Sequence, residues 1–281
     1  MMTRIETMEF HGLEAIRLAG PRGASAVIAR HGGQVLSWIT GDGRERLFLS
    51  PRAAFDGDTP IRGGIPVCFP QFAGRGPLPK HGFARTRRWD ILETRHADDF
   101  ALATLVCSDD PVSHALWPHA FRVELTVLLE ADRLDVELAV QNTGESTWAF
   151  TAALHSYLRV VQVEDVTLEG LRGTEYADCL TNEVRRDTGV ELSFDREIDR
   201  IYEGVSRPLL LRAGNLSLGV HGEGFPDVVV WNPWTEKCAA MPDMTVDSWR
   251  HMLCVEAAVA VRPVVLAPGK TWIGRQTLVV V

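Results

Sequence analysis

The segment Phe121–Val140, FRVELTVLLEADRLDVELAV, decides the fold class of this chain. Apolar and polar side chains alternate along Phe121–Leu129 and again along Leu134–Val140, on either side of the short segment Ala131–Arg133. Because successive side chains of a strand point to opposite faces, a period of two residues indicates strands with one buried face. The segment therefore predicts an antiparallel β-hairpin.

Strand-like segments recur on both sides of this hairpin. The further predicted strands are Ala24–Ala29, Gln34–Ile39, Ala101–Cys107, Thr151–Leu154, Leu209–Leu211, Leu216–Val220, Val228–Trp231, Met252–Val259 and Thr277–Val281. Helical turns are predicted only near Pro51–Ala54 and Thr245–Trp249. The chain has no βαβ alternation, no glycine-rich phosphate loop, no repeat and no linker. We therefore expect an all-β protein, with one large antiparallel β-sandwich domain over residues 1–281.

The composition limits the classes of partner. The chain has 281 residues, of which 46% are hydrophobic and 23% charged, and its formal net charge is -8. A negative protein lacks the positive field that binding to nucleic acid or to an anionic membrane requires. The N-terminal segment Met1–Glu6 lacks the apolar run of a signal peptide, and no later window is long enough to span a bilayer. We therefore expect a cytoplasmic protein that binds a small molecule.

The cysteines favour neither disulfides nor a structural metal. They are five in number, far apart and without a Cys-x-x-Cys pair or a Cys/His cluster. Both a disulfide framework and a zinc site need closer and more regular spacings. No metal is expected, and the cysteines are interpreted as small apolar residues; they are Cys68, Cys107, Cys179, Cys238 and Cys254.

The connection through Ile61–Pro70 and Pro79–Arg85 is the most irregular part of the chain. Its prolines remove backbone donors and its glycines permit unusual backbone angles, so it is neither a helix nor a central strand. An ordered irregular segment of this kind often shapes a site. Positive charge at Arg62, His81 and Arg85 predicts that the site receives an anion, because guanidinium groups match phosphate oxygens well. The alternative is that each arginine pairs with a nearby carboxylate.

Two titratable residues lie in apolar strand sequence. Glu256 follows the apolar run Met252–Val255, and His155 follows Thr151–Leu154. Unpaired burial of a carboxylate is costly, so Glu256 either faces solvent or is buried for a purpose. On a strand it shares a face with Cys254. A histidine beside an apolar run is otherwise a hydrogen-bonded core residue.

Two further residues are ambiguous on sequence alone. Trp231 lies at a strand end, where its ring can stack on a sugar or cover the core. Asp199, within Arg196–Tyr202, is typical of an ordinary charged turn.

Taken together and in order, these segments resemble the aldose 1-epimerase superfamily, and within it the hexose-6-phosphate mutarotase branch. The resemblance covers about residues 60–260. Its motifs are Arg62–Pro66 with Phe69–Pro70, Lys80–Arg85, Leu116–His119, Leu154–Tyr157, Ile198–Tyr202, Val230–Pro233 and Cys254–Glu256.

The resemblance implies a large two-sheet β-supersandwich that interconverts the α and β anomers of a phosphorylated aldohexose, with glucose 6-phosphate as the default. It places His155 as the general acid and Glu256 as the general base. Arg62 and Arg85 match positions associated with the phosphate. His81, Asp199 and Trp231 are the remaining expected substrate-binding residues. One departure is the short segment Gln71–Leu78, which carries an extra cation at Arg75.

Other functions remain open at this point. The chain could act on an unphosphorylated aldose such as galactose, or bind a carbohydrate without catalysis, as a sensor. The Arg62 and Arg85 pair argues against the first, and the presence of both His155 and Glu256 argues against the second. Anomer exchange needs one acid and one base but no redox group or metal, so no cofactor is expected. We expect a monomer, and the sequence does not select among hexose 6-phosphates.

Overall fold

The computed structural model of the protein describes residues 3–281, and antiparallel β-sheet dominates them. The expectation of an N-terminus without a signal peptide falls partly on Met1 and Met2, which lie outside the described residues. The strands, in chain order, are β1 (Arg4–Phe10), β2 (Leu13–Ala19), β3 (Ser25–Ala29), β4 (Val35–Ile39), β5 (Val67–Cys68), β6 (Asp90–His96), β7 (Ala101–Ser108), β8 (Phe121–Leu129), β9 (Arg133–Asn142), β10 (Trp148–Leu154), β11 (Tyr157–Arg159), β12 (Val166–Glu169), β13 (Glu175–Asp178), β14 (Glu183–Arg186), β15 (Glu191–Ser193), β16 (Ile198–Glu203), β17 (Leu209–Ala213), β18 (Leu216–Glu223), β19 (Asp227–Asn232), β20 (Met252–Leu266) and β21 (Thr271–Val280).

Helices are short and few among the described residues. The α-helices are α1 (Pro111–Leu116) and α2 (Trp234–Ala240). Single 3-10 turns occupy Pro21–Gly23, Ala84–Thr86, Val163–Asp165 and Ser248–His251. No helix within residues 3–281 is both long and apolar enough to cross a membrane.

The strands form three sheets. The smallest has the order β1-β2-β3-β4. An eight-stranded sheet has the order β14-β13-β16-β19-β20-β10-β5, with β11 also paired to β20. A nine-stranded sheet has the order β15-β12-β17-β18-β21-β9-β8-β7-β6. The predicted all-β antiparallel sandwich is confirmed.

The hairpin predicted from Phe121–Val140 lies inside the nine-stranded sheet, between β21 and β7. Strands β8 and β9 pair from Phe121↔Asn142 to Leu129↔Leu134. Alternate residues of β8 are fully buried, as the period-two pattern requires. The hydrophobic pattern therefore sets both the register and the buried face of this pair.

The two large sheets pack face to face, which leaves the outer face of the eight-stranded sheet free for a site. Gln276 on β21 donates to the carbonyl of Val255 on β20 across the interface, at 3.0 Å. Gly222 on β18 lies opposite Ala257 on β20. Val255 and Ala257 flank Glu256 on β20, and successive side chains of a strand alternate between its two faces. The side chain of Glu256 therefore points away from the interface between the sheets.

Every predicted strand overlaps an observed one, but some observed strands were not predicted. The helical turn predicted near Pro51–Ala54 is wrong, since the chain makes only a turn there. Near Thr245–Trp249 a single 3-10 turn begins at Ser248. The strands without a sequence prediction are β1, β2, β5, β6 and β11 to β16. The expectation of one domain over residues 1–281 stays a prediction.

Candidate active site

A cavity of about 720 Å³ opens on the outer face of the eight-stranded sheet. Strands β16, β19 and β20 form its floor, and its walls come from the hairpin of β13 and β14, from α2 and from the irregular connection between β4 and β6. Its lining includes the sequence-predicted residues Arg62, His81, His155, Asp199, Trp231 and Glu256, but not Arg85. Sequence reasoning thus found most of the polar floor of this cavity.

Strand pairing brings three of these residues together from distant parts of the chain. Asp199 on β16 pairs with Trp231 on β19, and Trp231 pairs with Cys254 on β20. Glu256, two residues after Cys254, lies on the same face of β20. The floor therefore carries an aromatic ring between two carboxylates that are far apart in sequence.

His155 reaches Glu256 from the junction of β10 and β11. The backbone N–H of His155 donates to the carbonyl of Pro66 at 3.0 Å, which holds the junction against the neighbouring segment. The Nδ1 atom of His155 lies 3.2 Å from Oε1 of Glu256. Both side chains line the cavity, and Glu256 is only 1% exposed. An imidazole and a carboxylate therefore meet at the cavity floor, nearly free of bulk water.

Burial shifts both members of this pair toward their neutral forms. Desolvation raises the pKa of Glu256 well above its ordinary value, and the charge of Asp199 adds to the shift. Desolvation also lowers the pKa of His155 far below its ordinary value, helped by the positive field of Arg62. Since a charge in a poorly solvated site is costly, burial favours a protonated carboxyl group beside a neutral imidazole when no ligand is bound.

The ring of His155 is held by aromatic neighbours. Tyr157 stacks on it with ring centroids 4.7 Å apart, and Trp231 meets it edge-on at 5.9 Å. The Tyr157 hydroxyl accepts a hydrogen bond of 2.9 Å from Nη1 of Arg62. The Nε of Arg62 donates to Oδ2 of Asp243 at 3.0 Å. Arg62 therefore lines the cavity and also holds Tyr157, the residue that stacks on His155.

Sequence reasoning missed the supporting roles of Tyr157 and Asp243. Tyr157 could have been found, because it follows His155 by two residues in extended chain and so shares its face. Asp243 lies in a loop 181 residues beyond Arg62, and the sequence contains no signal for that contact.

Glycine is required at position 64, two residues after Arg62, for a steric reason. Gly64 has φ +63°, and a Cβ atom there would lie 2.1 Å from the carbonyl oxygen of Val35. No side chain fits at that distance, so only glycine lets the segment pack against β4 and present Arg62 to the cavity.

His81 is a neutral hydrogen-bonding residue rather than a cation. Burial, with the charges of Arg85 and Lys80, lowers its pKa to about 3. Its Nδ1 accepts the backbone N–H of Ala73 at 3.3 Å and lies 3.2 Å from Sγ of Cys68. A neutral ring that accepts at Nδ1 carries its proton on Nε2. His81 therefore offers an N–H donor, and the positive charge expected there from the sequence is absent at neutral pH.

Arg85 does not contribute to the cavity wall. It is half-buried, and its Nη2 donates to the backbone carbonyl of Lys80 at 2.8 Å. The 3-10 turn Ala84–Thr86 directs the chain away from the cavity directly after the segment that contributes Lys80 and His81. Of the two arginines predicted to clamp an anion, the structure therefore places Arg62 on the cavity wall and Arg85 outside it.

Other cations do line the cavity. They are Arg75 and Lys80 on the connecting segment, and Lys237 on α2. Lys237 is committed to Glu197, at 2.7 Å, and lies 4.0 Å from Asp199. Within residues 3–281, neither Arg75 nor Lys80 has a carboxylate within 4.0 Å, so both are available to an anion.

Asp199 lines the cavity floor from β16. Desolvation raises its pKa, while Lys237 opposes the shift. Its carboxylate can accept hydrogen bonds from hydroxyl groups of a ligand in the cavity.

Comparison with known proteins gives a consistent result. The sequence model of the family described as Aldose 1-epimerase matches residues 14–278. A protein of Cenchrus ciliaris named "Putative glucose-6-phosphate 1-epimerase" is 37% identical over 279 residues, which cover 95% of this chain and 84% of the relative. An Escherichia coli (strain K12) protein of the same name is 31% identical over 243 residues, or 84% of this chain and 80% of the relative.

A solved structure extends the similarity to three dimensions. The crystal structure of a "putative mutarotase" from Salmonella typhimurium superposes with a TM-score of 0.91 at 27% sequence identity. The alignment covers 98% of this chain and 93% of that one.

Proposed function

Since this chain belongs to the aldose 1-epimerase family, we propose that it interconverts the α and β anomers of a hexose 6-phosphate, with glucose 6-phosphate as the default substrate. The observation that carries the proposal is the 3.2 Å contact between Nδ1 of His155 and Oε1 of Glu256 at the cavity floor. A binding protein needs no such pair, whereas anomer exchange needs one group that takes a proton and one that gives it.

The pair holds one transferable proton, and its position sets the roles. In the empty site this proton is on the carboxyl group of Glu256. Transfer of this proton from Glu256 to His155 yields a carboxylate and an imidazolium with the same total charge. Hydroxyl groups of a bound sugar favour this charged form, since their dipoles replace the missing water around both ions. Binding thus prepares the base and the acid together.

Ring opening then uses both groups once. The Glu256 carboxylate takes the proton of the C1 hydroxyl while Nε2 of His155 gives its proton to the ring oxygen. The C1–O5 bond breaks and the C1 carbonyl forms. Rotation about C1–C2 and the reverse proton transfers close the ring as the other anomer. Each positioned group of this kind typically contributes about 10²–10⁴-fold to the rate.

The phosphate is assigned to Arg75 and Lys80. Both line the cavity on the segment that follows Pro70, and neither is neutralised by a carboxylate within the described chain. Arg62 is less available, because it already contacts Asp243 and Tyr157. A guanidinium beside an ammonium suits the oxygens of a phosphate monoester.

The sugar hydroxyls are assigned to neutral and anionic groups around the floor. His81 donates from Nε2, Asp199 accepts, and the ring of Trp231 covers an apolar C–H face. These contacts set the orientation in which C1 faces Glu256 and the ring oxygen faces His155.

The experiment is an anomer-exchange measurement by magnetisation-transfer NMR on glucose 6-phosphate and glucose, with purified protein. We expect enzyme-dependent exchange for both, with kcat/KM higher for the phosphate. Equal efficiency on the two sugars would favour a mutarotase for unphosphorylated aldoses. Binding without added exchange would favour a carbohydrate sensor, and either result would overturn the proposal.

A further inference from the structure

The catalytic floor contains a third potential metal ligand that the epimerase reaction does not use. Cys254 is fully buried on β20 and shares a face with Glu256. Its Sγ, an imidazole nitrogen of His155 and a carboxylate oxygen of Glu256 all lie within 4.8 Å of one another. The acid–base mechanism above gives the thiol no role.

Two polar atoms of this group lack partners. Within the described chain, Nδ1 of His155 and Oε2 of Glu256 are buried and make no hydrogen bond of acceptable geometry. Buried polar atoms normally have hydrogen-bond partners. Two neighbouring buried atoms without partners therefore indicate that a ligand binds there. A cation that accepts both lone pairs would satisfy them.

The spacing and chemistry suit a tetrahedral zinc ion. With metal–ligand bonds of about 2.0–2.3 Å, a tetrahedral ion holds its ligand atoms roughly 3.3–3.8 Å apart. The nitrogen and oxygen already lie 3.2 Å apart, and the sulfur lies within 4.8 Å of a ligand atom of each of the other two side chains. A nitrogen, sulfur and oxygen set selects zinc-like ions over magnesium or calcium, which prefer oxygen alone.

The geometry points to an inhibitory site for a zinc-like divalent ion formed by His155, Cys254 and Glu256. Three protein ligands leave the fourth position open toward the cavity, where water or a sugar oxygen completes the shell. The ion occupies both proton-handling groups, so the metal-bound protein does not exchange anomers. This site goes beyond the proposed function, because metal binding is measured whether or not the protein is an epimerase.

Binding is a proton exchange without redox chemistry. Burial raises the pKa of the Cys254 thiol, which is therefore protonated in the metal-free protein. The S–H bond breaks, an S–metal bond forms, and the proton passes to solvent. The proton that burial retains on the carboxyl group of Glu256 likewise passes to solvent as the carboxylate oxygen binds the metal. The neutral imidazole of His155 contributes a lone pair.

Cadmium is the probe, because a thiolate bound to Cd²⁺ absorbs in the ultraviolet through charge transfer. Reduced, metal-free protein is titrated with Cd²⁺ while absorbance and anomer exchange are followed together. We expect the absorbance to saturate with one tight ion per chain, exchange to be lost in parallel, and Zn²⁺ or EDTA to reverse the absorbance.

The matched variants are Cys254→Ala and Cys238→Ala. Cys238 is also fully buried, but its Sγ contacts the carbonyl of Thr245, away from the cavity. Cys254→Ala should lose the absorbance and weaken Cd²⁺ binding by at least about 10-fold. Loss of a residue that only hydrogen-bonds to a metal ligand already costs about that much, so loss of a ligand should cost no less. Cys238→Ala should behave as wild type.

Two further variants keep the test decisive. Cys254→Ser replaces Cys254→Ala if the latter unfolds. Cys68→Ala checks the other thiol near an imidazole, that of His81, and should retain the absorbance. Unchanged cadmium absorbance in the Cys254 variant, or loss of it only in the Cys68 variant, would overturn the proposal.

Discussion

The imidazole of His155 lies flat against the ring of Tyr157, with centroids 4.7 Å apart and planes only 9° from parallel. Tyr157 is buried, and its hydroxyl accepts a hydrogen bond from Arg62. The tyrosine ring therefore has little freedom to tilt, and it fixes the plane in which His155 presents its two nitrogens. We interpret Tyr157 as a positioning residue that acts through His155.

Removal of the stacked ring should lower turnover more than substrate binding. For Tyr157→Leu we expect kcat to fall by up to about 10²-fold, because a misplacement of about 1 Å in a reacting group costs that much. Tyr157→Phe keeps the stack and should stay close to wild type. NMR exchange kinetics give kcat and KM, and thermal unfolding identifies a variant that fails by instability. A folded Tyr157→Leu protein with wild-type kcat would contradict the positioning role.

Selectivity for the phosphorylated sugar should depend on Arg75 and Lys80. For Arg75→Gln and Lys80→Gln we expect kcat/KM on glucose 6-phosphate to fall about 10-fold each, since a hydrogen bond to a charged group contributes about 1.5 kcal/mol or more. Activity on glucose should change little. Arg85→Gln is the matched control, because Arg85 lies off the cavity wall. Loss of phosphate selectivity in that control alone would restore the clamp first expected from the sequence.

The sequence predicted the fold class and the polar floor of the cavity because both depend on local patterns. The alternation in Phe121–Val140 selects strands, and the carboxylate within Met252–Val259 indicates a polar residue on a buried strand. The family resemblance, now confirmed, added the order of the motifs and raised Asp199 from a charged turn to a cavity residue.

The features of the site that the sequence did not predict depend on the directions of side chains in the folded protein, which local sequence does not determine. Arg85 follows the cavity segment directly, yet the 3-10 turn at Ala84–Thr86 takes it off the wall. His81 loses its charge because burial lowers its pKa, and the charges of Arg85 and Lys80 lower it further. The contact of Arg62 with Asp243 joins residues far apart in the chain.

The close approach at Gly64 should make it intolerant of any side chain. Gly64→Ala would place a Cβ atom 2.1 Å from the backbone oxygen of Val35, so we expect a loss beyond the about 1–3 kcal/mol of an unfavourable positive φ. Gly43→Ala is the matched control, because Gly43 has φ +79° but nothing within 4 Å. Urea unfolding measures both. Equal destabilisation of the two variants would contradict the steric explanation.

Glu256 should weaken the fold as pH rises. Burial raises its pKa in the folded protein above the ordinary value of 4.5, so its contribution to the free energy of unfolding is complete below pH 4.5. Above that pH the contribution declines by about 1.4 kcal/mol per pH unit until the folded-state pKa is reached. Glu256→Gln does not titrate, so its stability relative to wild type should increase with pH. Urea unfolding between pH 4.5 and 8 measures the difference, and a difference independent of pH would contradict the buried, protonated state.

The proton exchange between His155 and Glu256 is tested most directly by the anomer-exchange rate of Glu256→Gln on saturating glucose 6-phosphate. The matched control is Glu183→Gln, which changes an exposed carboxylate of the same cavity wall. We predict that the Glu256 variant is slower by at least about 10²-fold, the lower end for a positioned acid or base, while the control stays close to wild type. A folded, substrate-binding Glu256→Gln protein that exchanges anomers at the wild-type rate would contradict the account.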